Sequence, residues 1–260
     1  MLRALTKQDR LSLLGLTQDN VPAALLLRGA RNLNTNYEKH RTFFSDIVEV
    51  GSRNGIFEDA FIGSLDGVLV GYASVYGDAM ASDITHVFGV LGTRLVVQTG
   101  CCGALGEGIL PGDLVCATSA HCGEGAACYY LAGEADVEAS PELVSSLATR
   151  GDPVAMHRGP VWTTFALLAE GKTEIQAWGE VGYLAVDMES ATTFAVAKHF
   201  GMQRLSLLFA FDNPRAGEHI MLTDAAKAEP RARGERGMID LAMAVIAAHR
   251  HDASAERGML

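Results

Sequence analysis

The chain has 260 residues, 48% of them hydrophobic and 20% charged, with 28 Gly and 7 Pro. That composition excludes wholesale disorder and suits one domain spanning residues 1–260. The formal net charge of −10, from 21 basic and 31 acidic residues with no Lys/Arg block, argues against nonspecific nucleic-acid binding, although a local pocket for a small anion stays open. The longest apolar runs, 241–248 and 205–211, fall well short of the ~18–20 residues of a membrane span. Charges at Arg3, Lys7, Asp9 and Arg10 stand where a signal peptide needs an apolar core. The expectation is a cytoplasmic protein without membrane contact.

In chain order, Ala23–Leu27 reads as a short buried strand ending at Arg28-Gly29, and 61–63 and 68–70 as a hairpin around the Gly-containing connection Ser64-Leu65-Asp66-Gly67. Ala79–Leu91 has helical spacing and stops at Gly92; Arg94–Gln98 is a buried strand feeding a small-residue turn from Thr99. Gly112–Ala117 reads as a strand. Ser140-Pro141-Glu142 opens a helix running to about Arg150-Gly151. Val154–Met156 is a short strand, Thr173–Gly179 a helix, Tyr183–Val186 a strand, Met188–Phe200 a helix stopped by Gly201, and Arg204–Phe211 a central strand. Gly234–His249 closes the core, which spans about 23–249, and a mobile tail follows from Arg250. The alternation predicts a three-layer α/β/α domain with a mixed, curved central sheet.

The five cysteines, Cys101, Cys102, Cys116, Cys122 and Cys128, are odd in number and clustered, so no disulfide framework is expected. Cys116, Cys122 and Cys128 near His121 lack CxxC-type spacing and read as buried free thiols rather than metal ligands. No metal is expected.

Three places carry candidate chemistry. Gln98-Thr99-Gly100-Cys101-Cys102-Gly103-Ala104-Leu105 lets backbone amides approach a ligand, and by itself reads equally as a tight turn; its GxxGxxG is not the dinucleotide GxGxxG. Asp187-Met188-Glu189-Ser190 puts two carboxyls at a strand-to-helix junction, which by itself is also a dipole-favoured helix start. Asp212 ends a strand in Phe211-Asp212-Asn213-Pro214; buried there, its carboxyl would hold a proton at neutral pH, and the alternative is a turn-forming Asp.

Taken together, Thr99–Leu105, Gly112-Asp113-Leu114-Val115, Val186-Asp187-Met188-Glu189-Ser190-Ala191-Thr192 and Phe211-Asp212 resemble the nucleoside phosphorylase family: hexameric-type purine nucleoside phosphorylases, uridine phosphorylases and related nucleosidases. The resemblance runs from about Ala23 to Ala247. It implies cleavage of an N-glycosidic bond through an oxocarbenium-like sugar. In that reading Glu189 accepts hydrogen bonds from the ribose hydroxyls, Met188 packs on the sugar, Asp187 matches an acidic position of the purine enzymes, and Asp212 is the acid at the leaving base. Gly100, Cys101 and Gly103 are expected at the substrate. Aligned without gaps, Leu167-Leu168 stand at the aromatic pair of uridine phosphorylases, and Gly171 and Thr173 replace their uracil-reading Gln and Arg, so a purine-like base is expected. Phe165 and Leu167 are the candidates against it, with Trp162 and Phe165 as a stacking wall and core packing the alternative for either aromatic.

The phosphate side departs from the family. Gly29-Ala30-Arg31-Asn32-Leu33 replaces Gly-Asp-Pro-x-Arg, Gln98 replaces a strand arginine, and Cys101 replaces a Ser or Thr. Gly29, Arg31 and Arg53 remain as phosphate-binding candidates, Arg53 resembling an arginine lent by a neighbouring subunit. The expectation is phosphorolysis to free base and sugar 1-phosphate. The alternatives are a nucleosidase using water, with Glu107 and Asp78 as candidate bases, and a catalytically silent nucleoside binder. No organic cofactor is implied, phosphate being the possible co-substrate. A homo-oligomer, dimer or hexamer, with its site near the subunit interface is the implied assembly.

Overall fold

A computed structural model of the chain describes residues 2–52, 57–123, 125–147, 154–222 and 224–257. Ten strands form one mixed sheet: β1 (Ala24–Gly29), β2 (Ser45–Glu49), β3 (Ala60–Leu65), β4 (Val68–Val75), β5 (Leu95–Ala104), β6 (Leu114–Cys122), β7 (Asp136–Glu138), β8 (Met156–Thr163), β9 (Ala185–Asp187) and β10 (Gln203–Asp212). The helices are α1 (Lys7–Leu13), α2 (Leu33–Arg41), α3 (Asp78–Leu91), α4 (Pro141–Leu147), α5 (Lys172–Val181), α6 (Ser190–His199) and α7 (Ala228–Arg257).

Side-chain alternation along the central strands supplies two apolar faces. Ala24, Leu26, Leu95, Val97, Leu205 and Leu207 pack with Met238, Ile239, Ala242 and Ile246 of α7. Leu25, Leu27 and Val96 face the other way, against Ala81, Ile84, Phe88 and Leu91 of α3. Helices thus cover both faces, as the α/β/α expectation requires. The β3–β4 hairpin turns at Asp66 and Gly67, both at positive φ (48° and 76°), the backbone of a primed two-residue turn.

The sheet is curved to the point of closure. β5 pairs with β10 in parallel, β10 with β6, β6 with β8, β8 with β9, and β9 back with β5. Five strands therefore form a ring, and β1, β4, β3 and β2 extend from it as an open wing.

Several boundaries differ from the sequence reading. Residues 99–104 are not a turn: β5 continues through them because β10 and then β9 supply ladder partners. β8 runs to Thr163, well past the expected Met156, between β6 and β9. α7 continues as helix to Arg257 where a tail was expected from Arg250. α4 is described to Leu147, and its expected end at 150–151 lies outside the described residues. Cys128 is exposed rather than buried. Among the described residues, no helix is long and apolar enough to cross a membrane.

Candidate active site

The site arises where β5 changes partner on one flank. β1 pairs with β5 up to Gly29 opposite Gly100. β9, running antiparallel, takes over from Val186 opposite Gly103. The carboxyl ends of β1 and β9 therefore meet head-on, and a gap opens at Cys101 and Cys102. A cleft of about 510 Å³ fills it, lined among others by Gly29, Arg31, Cys101, Gly103, Leu167, Asp187, Met188, Glu189 and Asp212. Ligands of α/β sheets sit at such strand ends.

Glu189 is the N-cap of α6, and its side chain is 5% exposed. Its Oε1 accepts the Gly77 N–H at 2.7 Å. A Cβ on Gly29 would lie 2.7 Å from Glu189 Oε2, so a glycine at the end of β1 is what admits the carboxyl. Burial, and next the charge of Asp187, push its pKa up to about 8, against the pull of the Gly77 hydrogen bond and Arg28.

Beneath it lies a buried polar network. Asp187 accepts from Thr163 Oγ1 at 2.8 Å, Ser190 N at 2.8 Å and Gln98 Nε2 at 3.3 Å. Ser190 Oγ lies 2.6 Å from Asp187 Oδ2, 2.7 Å from Gln98 Oε1 and 2.8 Å from Ser206 Oγ. Asp187 thereby satisfies amides at the start of α6, which orients Met188 and Glu189 toward the cleft.

Asp212 ends β10 just after a register shift between Ala210 and Asp212 that re-aims the strand. It is 7% exposed, and burial pushes its pKa up to about 6, opposed mainly by Arg231. Arg231 donates to the Phe211 carbonyl at 2.6 Å and lies 3.9 Å over the Phe211 ring. Besides Asp187, which is committed to the network, one cleft thus holds two buried carboxyls in different surroundings, Glu189 seated against the β1 end and Asp212 at the β10 end.

A family model described as the phosphorylase superfamily matches residues 45–247. The chain belongs to that superfamily. A guanosine phosphorylase of Halorubrum lacusprofundi is 30% identical over 131 residues, 49% of this chain and 54% of that protein, so the match spans about half of that relative. A DeoD-type purine nucleoside phosphorylase of Alkaliphilus metalliredigens is 24% identical over 88% of this chain and 97% of its own length. A uridine phosphorylase structure from Vibrio fischeri, in complex with 6-hydroxy-1-naphthoic acid, superposes with a TM-score of 0.76 at 20% identity, covering 90% of this chain and 94% of that one. That likeness establishes the phosphorylase-like fold. The family is one of enzymes, and the expectation of a pentosyltransferase stands with it.

Within this superfamily fold, three expected site residues lie away from the cleft. Gln98 is fully buried in the network under Glu189. Gly100 sits inside the β5 ladder, where a Cβ would meet the Gly29 carbonyl at 3.3 Å. Phe165 packs over Gly125, where an added Cβ would come within 2.5 Å of its ring. Trp162, the other stacking candidate, stacks on Trp178 at 4.8 Å and His121 at 4.3 Å. Asp78 is engaged by the Ala126 N–H at 2.7 Å, and Glu107 is exposed on a loop. Arg53 lies outside the described residues.

Lys172, which a small gap in the uridine phosphorylase alignment would bring to the base reader's position, lines the cleft at the start of α5, whereas sequence reasoning missed Tyr76, Thr164, Glu170, Glu218 and His219, all at the cleft. They come from loops without periodicity, and folding alone assembles them. At the phosphate end, Arg31 lies 5.6 Å from the Tyr76 ring in a cation–π arrangement. Arg28 does not line the cleft; it is buried and paired with Glu235 at 2.6 Å.

Proposed function

We propose that the protein cleaves the N-glycosidic bond of a purine-type nucleoside and passes the sugar to phosphate. The observation carrying this reading is the pair of buried carboxyls, Glu189 and Asp212, at separate strand ends of one cleft. As the C1′–N bond lengthens, its electron pair moves onto the base. Protonated Asp212 supplies a hydrogen bond or proton to a ring nitrogen, which stabilises that charge. Ionised Glu189 accepts from the ribose hydroxyls and stabilises the oxocarbenium-like sugar, with Met188 packed on its apolar face. A phosphate oxygen then bonds to C1′, giving sugar 1-phosphate. Arg31 and the β1-end amides near Gly29 are the proposed phosphate contacts, with Arg53 lent by a second copy in a homo-oligomer. The reading requires no organic cofactor.

Hydrolysis is the second reading, favoured by the same phosphate end. Gln98 is committed to Asp187 and Ser190, and Arg28 to Glu235. Arg31 is then the β1-end cation bordering the cleft, whereas a phosphate dianion is ordinarily held by several charge-assisted donors.

The test is base release from a nucleoside panel with and without phosphate, with sugar 1-phosphate measured directly. Phosphate-dependent release yielding sugar 1-phosphate is expected. Free sugar without phosphate replaces phosphorolysis by hydrolysis, and no release from any nucleoside replaces both by a binding role.

A further inference from the structure

The molecule carries a second cavity, of about 480 Å³, that shares no lining residue with the catalytic cleft. It lies between α1, α3 and the 3-10 turn Ala126–Tyr129. Leu5, Leu14 and Val87 give it apolar walls, and the rings of Phe57, His86, Tyr129 and Tyr130 border it.

Arg10 of α1 brings a charge into these walls. It is 7% exposed. Its guanidinium donates to the Leu5 carbonyl, to the Leu2 carbonyl at 3.4 Å and to His86 Nε2 at 3.3 Å. A guanidinium has no acceptor, so His86 Nε2 accepts and Nδ1 carries the ring hydrogen, bonding the Tyr130 hydroxyl at 2.9 Å. The imidazole is therefore neutral: it holds Arg10 from the side of α3 without balancing its charge. These bonds use three of the five N–H donors of a guanidinium, all on uncharged acceptors. The adjacent carboxyl, Asp9, is turned to the Thr6 amide at 2.8 Å and the Thr6 hydroxyl at 2.7 Å. Among the described residues no carboxylate forms an ion pair with Arg10, whereas the equally buried Arg28 has Glu235 at 2.6 Å. A buried cation without a counter-charge is costly, and an anion brought beside it offsets that cost. Asp83, the carboxyl among the lining residues, is exposed, so solvent screens it from the interior of the cavity.

We propose that this cavity binds an aryl monocarboxylate, its ring system between the apolar walls and its carboxylate on Arg10. The unpaired guanidinium selects an anion, and the bordering rings favour a flat aromatic body. The site stands apart from the nucleoside-cleaving reading and does not depend on it.

Calorimetry on the full chain tests this with 2-naphthoate, its neutral amide 2-naphthamide and the cation 2-naphthylmethylammonium, comparing wild type, Arg10→Met, Val87→Trp and Glu189→Ala. Wild type is expected to bind 2-naphthoate with a Kd below about 1 mM, about tenfold to a hundredfold more tightly than the amide, the value of a charge-assisted hydrogen bond, with the cation weakest. Arg10→Met is expected to erase the preference for acid over amide. Val87→Trp fills the cavity without removing the Arg10 charge, and is expected to lose both ligands while base release at the cleft is unaffected. Glu189→Ala is expected to leave 2-naphthoate binding unchanged. Equal wild-type affinity for acid and amide overturns the proposal. So does binding lost in Glu189→Ala but kept in Val87→Trp, which puts the acid in the catalytic cleft. Absence of binding to wild type overturns it as well, and a dimer that Val87→Trp dissociates then assigns this face to a second copy of the chain.

Discussion

At the scale of single residues, Glu189 and Asp212 titrate in the reverse of the order their roles require. The proposed acid, Asp212, sits at about 6, and the proposed ribose acceptor, Glu189, at about 8. The active form, with Asp212 protonated and Glu189 ionised, is a minor one at every pH. Such a pair gives a bell: below about 6 Glu189 is lost to protonation, and above about 8 the proton on Asp212 is lost. Profiles of kcat/KM against pH are expected to peak midway, near pH 7. Asp212→Asn is expected to lower kcat about a hundredfold with little change in KM, and to turn the bell into a curve rising to a plateau. Unchanged turnover would remove Asp212 as the acid. Glu189→Ala is expected to impair KM and kcat together, since the contact serves both ground state and transition state. Gly29→Ala tests the seating of Glu189: a Cβ 2.7 Å from Oε2 displaces the carboxyl. Steady-state kinetics are expected to show a raised KM with the fold retained, because a side-chain end can shift where backbone cannot.

At the scale of elements, the site depends on how β9 turns into α6. Asp187 accepts from Thr163, Ser190 and Gln98 at once, so its removal strands several buried donors. Urea unfolding of Asp187→Ala is expected to show a loss of about 2–4 kcal/mol; a loss within experimental error would show that the network does not hold this junction. Here the sequence was legible in part. Strand–turn–helix order, the Gly92 stop and the Asp66-Gly67 turn follow from local periodicity and backbone preference, and so do α3, α6 and β10. β2 (Ser45–Glu49) escaped notice because it is mostly exposed, and α2 (Leu33–Arg41) because its residues are mostly polar, its buried positions including Asn36 and His40. Thr99–Ala104 looked like a turn because its small residues are turn formers. Its pairing with β10 and β9, distant in sequence, overrides that preference.

At the scale of the whole molecule, Asp212 and Glu189 are buried carboxyls and Glu170 a half-buried one, held at about 6, 8 and 7 respectively. Each binds its proton more tightly folded than unfolded. Their joint contribution to stability is therefore fully present below the ordinary carboxyl range near 4 and is lost as pH rises through 6, 7 and 8. Asp212→Asn and Glu189→Gln are expected to melt a few degrees higher than wild type at pH 9, an instance of stability exchanged for function. Equal or lower melting temperatures there would mean that the ionised forms are better compensated than their burial implies.

The sequence by itself determined the α/β alternation, the apolar stripes that become the two core faces, and the motif order pointing to a phosphorylase-like chain with Glu189 and Asp212 at strand ends. Those features are local, set by side-chain period, capping and the chemistry of a few adjacent residues. The tertiary structure decided the closure of five strands into a ring and the head-on meeting of β1 and β9. It also put Gln98 behind the cleft and Glu170 within it. No local pattern encodes these outcomes. Each depends on which distant strand satisfies a backbone ladder, and on which side chain is left facing the space where two strands stop short of one another.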